Sequence, residues 1–188
     1  MKKILILIVA FLFLFTCSAQ AVKLGIWGGY ALLMNDIDYG GITGVDETKG
    51  GVAFGGKLGL IDLKIAELGL LAGYIPLYNY KYDISWSKGE ETSSDIPIVA
   101  YTKISLGGLF VMGGLGLHLW NVEGSGEVTI LGTTTKISVD QSSSDLGVTL
   151  GAGYDISILE IGAMLNLIYA EGTTLAPLVL YAGLNFGL

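Results

Sequence analysis

The chain has 188 residues, of which 29 are Gly, 52% are hydrophobic and 14% are charged. Ordinary usage is about 7% Gly and about 25% charged residues, so a disordered, fibrous or highly charged protein is excluded. All ten basic residues are Lys against 17 acids, giving net charge −7, a balance that does not suit a nucleic-acid partner; the length allows one domain.

The first element is Met1 to Ala21. It opens with Lys2 and Lys3, runs apolar from Ile4 to Phe15 and closes on Ala19, Gln20 and Ala21. That is the pattern of a cleavable secretory signal peptide, and the apolar run falls short of the roughly 20 residues a membrane helix needs. Cleavage is expected after Ala21, which divides the chain into a signal peptide, 1–21, and a barrel domain, 22–188. A lipoprotein signal is the alternative, because Cys17 follows Leu14, Phe15 and Thr16, although Thr16 is bulkier than the residue usual at that place. After a cut at Ala21 no cysteine remains, so thiol and disulfide chemistry are absent. The remaining 8 Lys and 17 acids give net charge −9.

From residue 22 onward the apolar period is two rather than 3.6. Eight strands are predicted, at about 22 to 34, 50 to 61, 65 to 83, 95 to 106, 109 to 123, 144 to 155, 158 to 170 and 175 to 188. The last shows the alternation best: Ala176, Leu178, Leu180, Ala182, Leu184, Phe186 and Leu188 make one face, and Pro177, Val179, Tyr181, Gly183, Asn185 and Gly187 the other. The connections alternate long and short. Residues 35 to 49, 84 to 94 and 124 to 143 read as long loops, 62 to 64, Gly107-Gly108 and 156 to 157 read as tight turns, and 171 to 174 is the last connection, on the side of the long loops. A soluble sandwich has no reason to put every long connection at one end, whereas an outer-membrane barrel does. Eight spans of about 9 to 11 residues fit the length, and sixteen would consume it. The rival is a membrane helix over Ile104 to Val122, which would have to carry Gly107, Gly108, Gly113, Gly114 and Gly116 at about 1 kcal/mol each. The fold class expected is therefore all-β: an eight-stranded antiparallel up-and-down transmembrane β-barrel.

Aromatic residues near strand ends, namely Tyr74, Tyr78, Tyr80, Tyr82, Trp86, Tyr154, Tyr169 and Phe186, read as interfacial girdles. The chain ends Tyr181-Ala-Gly-Leu-Asn-Phe-Gly-Leu188. Here it resembles the C-terminal assembly signal of bacterial outer-membrane barrels, with Tyr181, Gly183, Phe186 and Leu188 filling the pattern and Leu188 standing where Phe is usual. With the signal peptide and eight alternating strands, the chain resembles the small barrels of the OmpX, OmpA-membrane-domain and OmpW type. The resemblance implies a location in the outer membrane of a diderm bacterium, lipid and lipopolysaccharide as surroundings, and the barrel-assembly machinery as a partner. It carries no activity by itself.

An internal echo is also present: Asp62-x-x-Ile65-x-Glu67-x-Gly69 recurs as Asp155-x-x-Ile158-x-Glu160-x-Gly162, around two short turns. Parity places Lys23, Lys57, Glu67, Lys103, Asp155 and Glu160 in the lumen near the periplasmic end, as an ion-pair cluster in a space just wide enough for side chains. Lys57 and Glu67 flank one turn almost symmetrically and are expected to pair across it. A structural plug and a gate are the two readings of that cluster. Leu71, Ile75, Leu77, Phe110 and Met112 make the rest of the lumen partly apolar.

His118, the single histidine, is aimed inward beside Trp120 and Gly116. It makes no metal site alone, and acyl-transfer chemistry would need Ser and an acid in reach, so no catalytic residue and no cofactor are assigned. Thirteen acids lie in or at the long connections: Asp36, Asp38, Asp46, Glu47, Asp83, Glu90, Glu91, Asp95, Glu123, Glu127, Asp140, Asp145 and Glu171. Asp36 and Asp38, with Gly40, give a faint calcium-loop look, and such an acidic rim suits divalent cations that bridge lipopolysaccharide. The function expected is non-enzymatic, structural or surface-interacting, carried by acidic extracellular loops of a monomer. The alternative is a narrow, porin-like channel or carrier for small molecules, hydrophobic ones included.

Overall fold

The structure, a computed structural model, describes residues 22–35, 45–63, 65–84, 87–170 and 173–187. The signal segment, Cys17, Asp36, Asp38, Trp86, Glu171 and Leu188 lie outside the described residues. The described residues form ten strands and no helix: β1 (Lys23–Leu33), β2 (Val45–Lys49), β3 (Gly51–Asp62), β4 (Ala66–Ile84), β5 (Ser87–Leu106), β6 (Leu109–Ile130), β7 (Thr133–Ile156), β8 (Leu159–Ala170), β9 (Thr173–Leu175) and β10 (Pro177–Gly187). Every pairing is antiparallel, and the hydrogen-bonded order β1, β3, β4, β5, β6, β7, β8, β10 returns to β1. Residues Lys23 to Leu33 of β1 pair with Gly187 to Pro177 of β10, so eight strands close a ring. The stretch 104 to 122, for which strand and helix compete in the sequence, is strand on both sides of a turn.

The alternation sets the two faces of this ring. On β10, Pro177, Val179, Tyr181 and Gly183 are buried while Leu180, Ala182 and Leu184 are exposed. On β6, Leu109, Val111, Leu115, Leu117 and Leu119 all point outward. The ten residue steps from Leu109 to Leu119, at about 3.3 Å each and a tilt of about 40°, give an apolar band about 25 Å tall, the thickness of an outer-membrane girdle. The exposed leucines are therefore lipid contacts of a transmembrane barrel. The lumen is filled by Ile75, Leu77, Val99 and Val179, all 0% exposed, with Trp27, Leu71, Phe110, Met112 and Met164.

The turns at one end are short for a local reason. Gly107 and Gly108 both have positive φ, 60° and 93°, as a two-residue hairpin turn of the primed type demands. The opposite end departs from expectation. Residues 87 to 94, 124 to 130 and 133 to 143 are strand, not loop: β5 pairs β6 from Ser87 onward, and β6 pairs β7 up to Ile130↔Thr133. The turn between the last two is Leu131-Gly132, again with positive φ at both residues. Together with β2, which pairs the upper part of β4, these strands form a five-stranded sheet, β2-β4-β5-β6-β7, that stands above the barrel. The sequence hid it because a sheet wetted on both faces shows no apolar alternation.

Candidate functional site

The lumen carries two polar layers separated by apolar packing, and the lower one is ionic. Glu160 of β8, 2% exposed, is its centre. It accepts from Lys57 Nζ of β3, from Lys103 Nζ of β5 at 2.6 Å, from Tyr181 Oη at 2.8 Å and from Asn185 Nδ2 at 3.1 Å. Lys103 also donates to Asp155 Oδ1 at 2.8 Å and sits 4.3 Å from the Phe110 ring centroid. Lys23 reaches Asp62 at 2.7 Å and Glu67 at 3.3 Å. The contacts cross the lumen from β3 and β5 to β8, so the barrel is spanned at this level.

The six residues named from parity thus lie in one layer, but Lys57 does not pair with Glu67. Register explains the difference. Glu67 lies opposite Asp62 and Lys103, while Lys57 lies opposite Leu71, so the two residues are offset along their hairpin. Glu67 instead accepts from Tyr101 Oη at 2.5 Å.

The internal echo acquires a physical meaning in this layer. Glu67 takes the hydroxyl of Tyr101, and Glu160 takes that of Tyr181. Tyr101 lies opposite Gly69, and Tyr181 opposite Gly162. A Cβ on Gly69 would stand 2.8 Å from the Tyr101 ring, and one on Gly162 would stand 3.0 Å from the Tyr181 hydroxyl. Each glycine clears the path by which a tyrosine from the next strand reaches the glutamate two residues earlier. The preceding aspartates also match, Asp62 taking Lys23 and Asp155 taking Lys103.

The upper layer was only half legible. His118 is buried as expected, but Asp95, read as part of the acidic rim, is 0% exposed in the lumen and meets His118 Nδ1 at 2.8 Å. The exposed Ile96 and Ile98 on either side of Pro97 carry the parity that would have turned Asp95 inward. Asp95 lies opposite Trp120, and His118 opposite Asp145; the bonds run diagonally, with Trp120 Nε1 donating to Asp145 at 2.5 Å. The imidazole edge lies against the β7 backbone, since a Cβ on Gly147 would fall 2.6 Å from Nε2. Thr149 Oγ1 donates to Asn166 Oδ1 at 2.6 Å in the same part of the lumen.

Above this layer the protruding sheet has two unlike faces. A bulge at Leu77 shifts the parity of β4, so Tyr78 lies opposite Ser93 and the even residues Tyr78, Tyr80 and Tyr82 continue the lumen face. They are therefore not part of a lipid-interface girdle; Tyr74, below the bulge, keeps the lipid side and stacks on Phe54 at 5.6 Å. The outer face is a ladder of ion pairs: Lys81 with Glu90 at 3.2 Å, and Glu127 with Lys88 at 3.4 Å and Lys136 at 3.6 Å. Both Glu90 and Glu127 are held below the usual carboxylate range, by hydrogen bonds from Asn79 and Lys81 in the first case and from Lys88 in the second.

No protein-family model matches the chain, and no curated protein matches it in sequence. Among solved structures it is similar to Ail, the attachment invasion locus protein of Yersinia pestis, at 14% identity and TM-score 0.56, covering 90% of this chain and 100% of that one. It is similar also to the outer membrane protein OprG of Pseudomonas aeruginosa, at 13% identity and TM-score 0.55 over 90% and 98% of the two chains. A structure of Ail in complex with the heparin analogue sucrose octasulfate matches at 13% identity and TM-score 0.50 over 89% and 97%. At such identities the likeness defines a fold. This chain has the fold of the small outer-membrane β-barrels.

Proposed function

We propose that the protein is a closed barrel of the outer membrane, exported by residues 1–21, whose working part is the sheet it holds above the membrane. The observation that carries this reading is the outer edge of β7. Pairing between β7 and β8 begins at Gly147↔Ile168, so among the described residues no strand pairs with β7 from Thr133 to Leu146 on the side away from β6. An open edge offers a row of backbone N–H and C=O groups to an extended polypeptide. The function is thus surface interaction, moved from acidic loops to a sheet. The lipid belt faces membrane lipid and lipopolysaccharide; Tyr181, Gly183, Phe186 and Leu188 address the assembly machinery, and the acids at the rim suit divalent cations. The barrel works as a monomer.

The ion-pair layer of Lys23, Lys57, Glu67, Lys103, Asp155 and Glu160 is the plug of this barrel. Its crossing bonds and the apolar filling above it favour a plug over a channel or carrier. The role is non-enzymatic: His118 holds Asp95 with one nitrogen and lies with its other edge against Gly147, which favours a packing role over a catalytic one.

Strand addition is tested with adjacent variants, Ser138→Pro and Val139→Pro. Successive N–H groups of a strand point to opposite sides, so one proline removes a bond to β6 and the other removes an outward donor. A twelve-residue unstructured peptide of alternating Thr and Val should bind the folded protein. The variant that loses the outward donor should bind it less while keeping its β6 ladder in hydrogen exchange. Equal binding by wild type and both variants would sink the edge as the contact surface.

A further inference from the structure

We propose that the open edge of β7 pairs antiparallel with the same edge of a second copy of this chain, and that the pairing joins barrels held in two apposed membranes. The inference rests on the reading of that edge as the contact surface and names its partner. Natural sheet edges are blunted by proline, by bulges or by a covering element. Here Thr133 to Ser144 contains no proline, and its register with β6 runs without a shift. The only apolar side chains of that stretch, Ile137 and Val139, are 51% and 49% exposed. They share the parity of the buried Thr149 and so continue the lumen face. Opposite them on β6 lie Gly126 and Gly124, so no β6 side chain stands directly across from either. A strand added at the edge supplies the cross-strand neighbours that this pair lacks on β6.

The edge is complementary to itself. In an antiparallel pair centred on Ser138 of both copies, Lys136 of each chain lies opposite Asp140 of the other, and Ile137 opposite Val139. A two-fold axis makes every contact twice, and the pleat keeps the even residues on one face and the odd residues on the other. The β-branched side chains of both copies then share the lumen-side face, and both ion pairs share the outer face. Charge within one chain favours this register. Glu127 is shared by Lys88 at 3.4 Å and Lys136 at 3.6 Å, which leaves one ammonium in surplus, while Asp140 lies opposite Glu123, two like charges side by side. Each copy thus brings its surplus cation to the acidic pair of the other. Asp145, the remaining charged residue of the open stretch, has the other parity and accepts from Trp120, so no second register joins opposite charges on one face.

Strand direction determines where the second copy sits. β7 descends from the Leu131-Gly132 turn above the membrane to Ile156 at the far end of the barrel, at a tilt of about 40°. Two barrels in one membrane descend the same way, and strands at that tilt cannot then run antiparallel. Antiparallel pairing points the barrels apart, into two membranes. Ser138 stands above Leu146 by about 20 Å of height, so the two lipid belts would lie about 40 Å apart. Each barrel is complete in one chain, and the pairing joins closed monomers without touching the plug.

The folded full-length barrel is placed in phosphatidylcholine vesicles, and their clustering is followed by light scattering. Wild-type vesicles should cluster, and the Thr/Val peptide should disperse the clusters by occupying the edge. Lys136→Glu and Asp140→Lys should each raise the protein density needed for clustering about tenfold, because both cross-chain pairs become like-charged. Vesicles carrying Lys136→Glu, mixed with vesicles carrying Asp140→Lys, should cluster as wild type does, since the pairs between the two variants are again opposite in charge. That rescue also shows that both variants are folded. Absence of wild-type clustering overturns the proposal. So do clusters that persist with the peptide bound, single variants that cluster like wild type, or a mixture no better than either variant alone. Peptide binding without clustering would overturn the pairing of copies and leave the β7 edge reading standing, whereas loss of both would remove both.

Discussion

Replacing Glu160 by Gln is expected to be the most damaging single change in the lumen. The variant keeps the shape of the side chain and leaves Lys57 and Lys103 without their shared counter-charge. Lys57 and Lys103 are 8% and 5% exposed, so water cannot replace it. Breaking a buried ion pair from one side costs about 3–5 kcal/mol, because the surviving charge stays desolvated. Two ammoniums are involved here, although Lys103 retains Asp155, so the lower half of that range is already a conservative figure. Asp155→Asn serves as the comparison. Its side chain is 25% exposed and Lys103 keeps Glu160, so the expected loss is about 1 kcal/mol. Equilibrium urea unfolding in lipid vesicles reads both. Equal losses would mean that Glu160 is not the centre of the layer.

The second large effect concerns the outside of the barrel. Leu115 is 69% exposed and lies near the middle of the lipid-facing run of β6, whereas Leu109 stands at its end. Arg at the bilayer midplane costs about 2–4 kcal/mol, and near an interface about 0–1. Leu115→Arg should therefore destabilise the barrel in vesicles several times more than Leu109→Arg does. In a water-facing sheet both leucines would be exposed surface and both changes would be close to neutral. Depth dependence thus separates a lipid belt from an ordinary surface, and a flat response would refute the belt.

How much of this was legible in the sequence depended on what lay on each side of a strand. Where lipid covers one face and the lumen the other, alternation carries the signal, and parity alone turns Lys57, Glu67, Lys103 and Glu160 inward. Above the membrane both faces are wet, so Ser87 to Ser94 and Gly124 to Ser143 lose that alternation and read as loops. The Leu77 bulge then reverses the parity of β4, which is why Tyr78, Tyr80 and Tyr82 read as an interfacial girdle. Partners across the lumen were beyond reach for a different reason. Hairpin register fixes neighbours on adjacent strands, but Lys57 meets Glu160 only because the ring closes with a particular stagger. The repeated Asp, Ile, Glu, Gly spacing was visible as a pattern. Its cause, a tyrosine crossing over each glycine, needed the third strand to be in place.

Single-channel recording in planar bilayers tests the closed barrel most directly. The lower layer spans the lumen through Glu160, and Ile75, Leu77, Val99 and Val179 fill the space above it. Wild-type protein, inserted and shown by heat-dependent gel mobility to be folded, should therefore give no discrete current steps at either polarity. Regular open steps from the folded wild-type barrel would contradict the account, because they would require a continuous aqueous path through side chains that are packed without exposure.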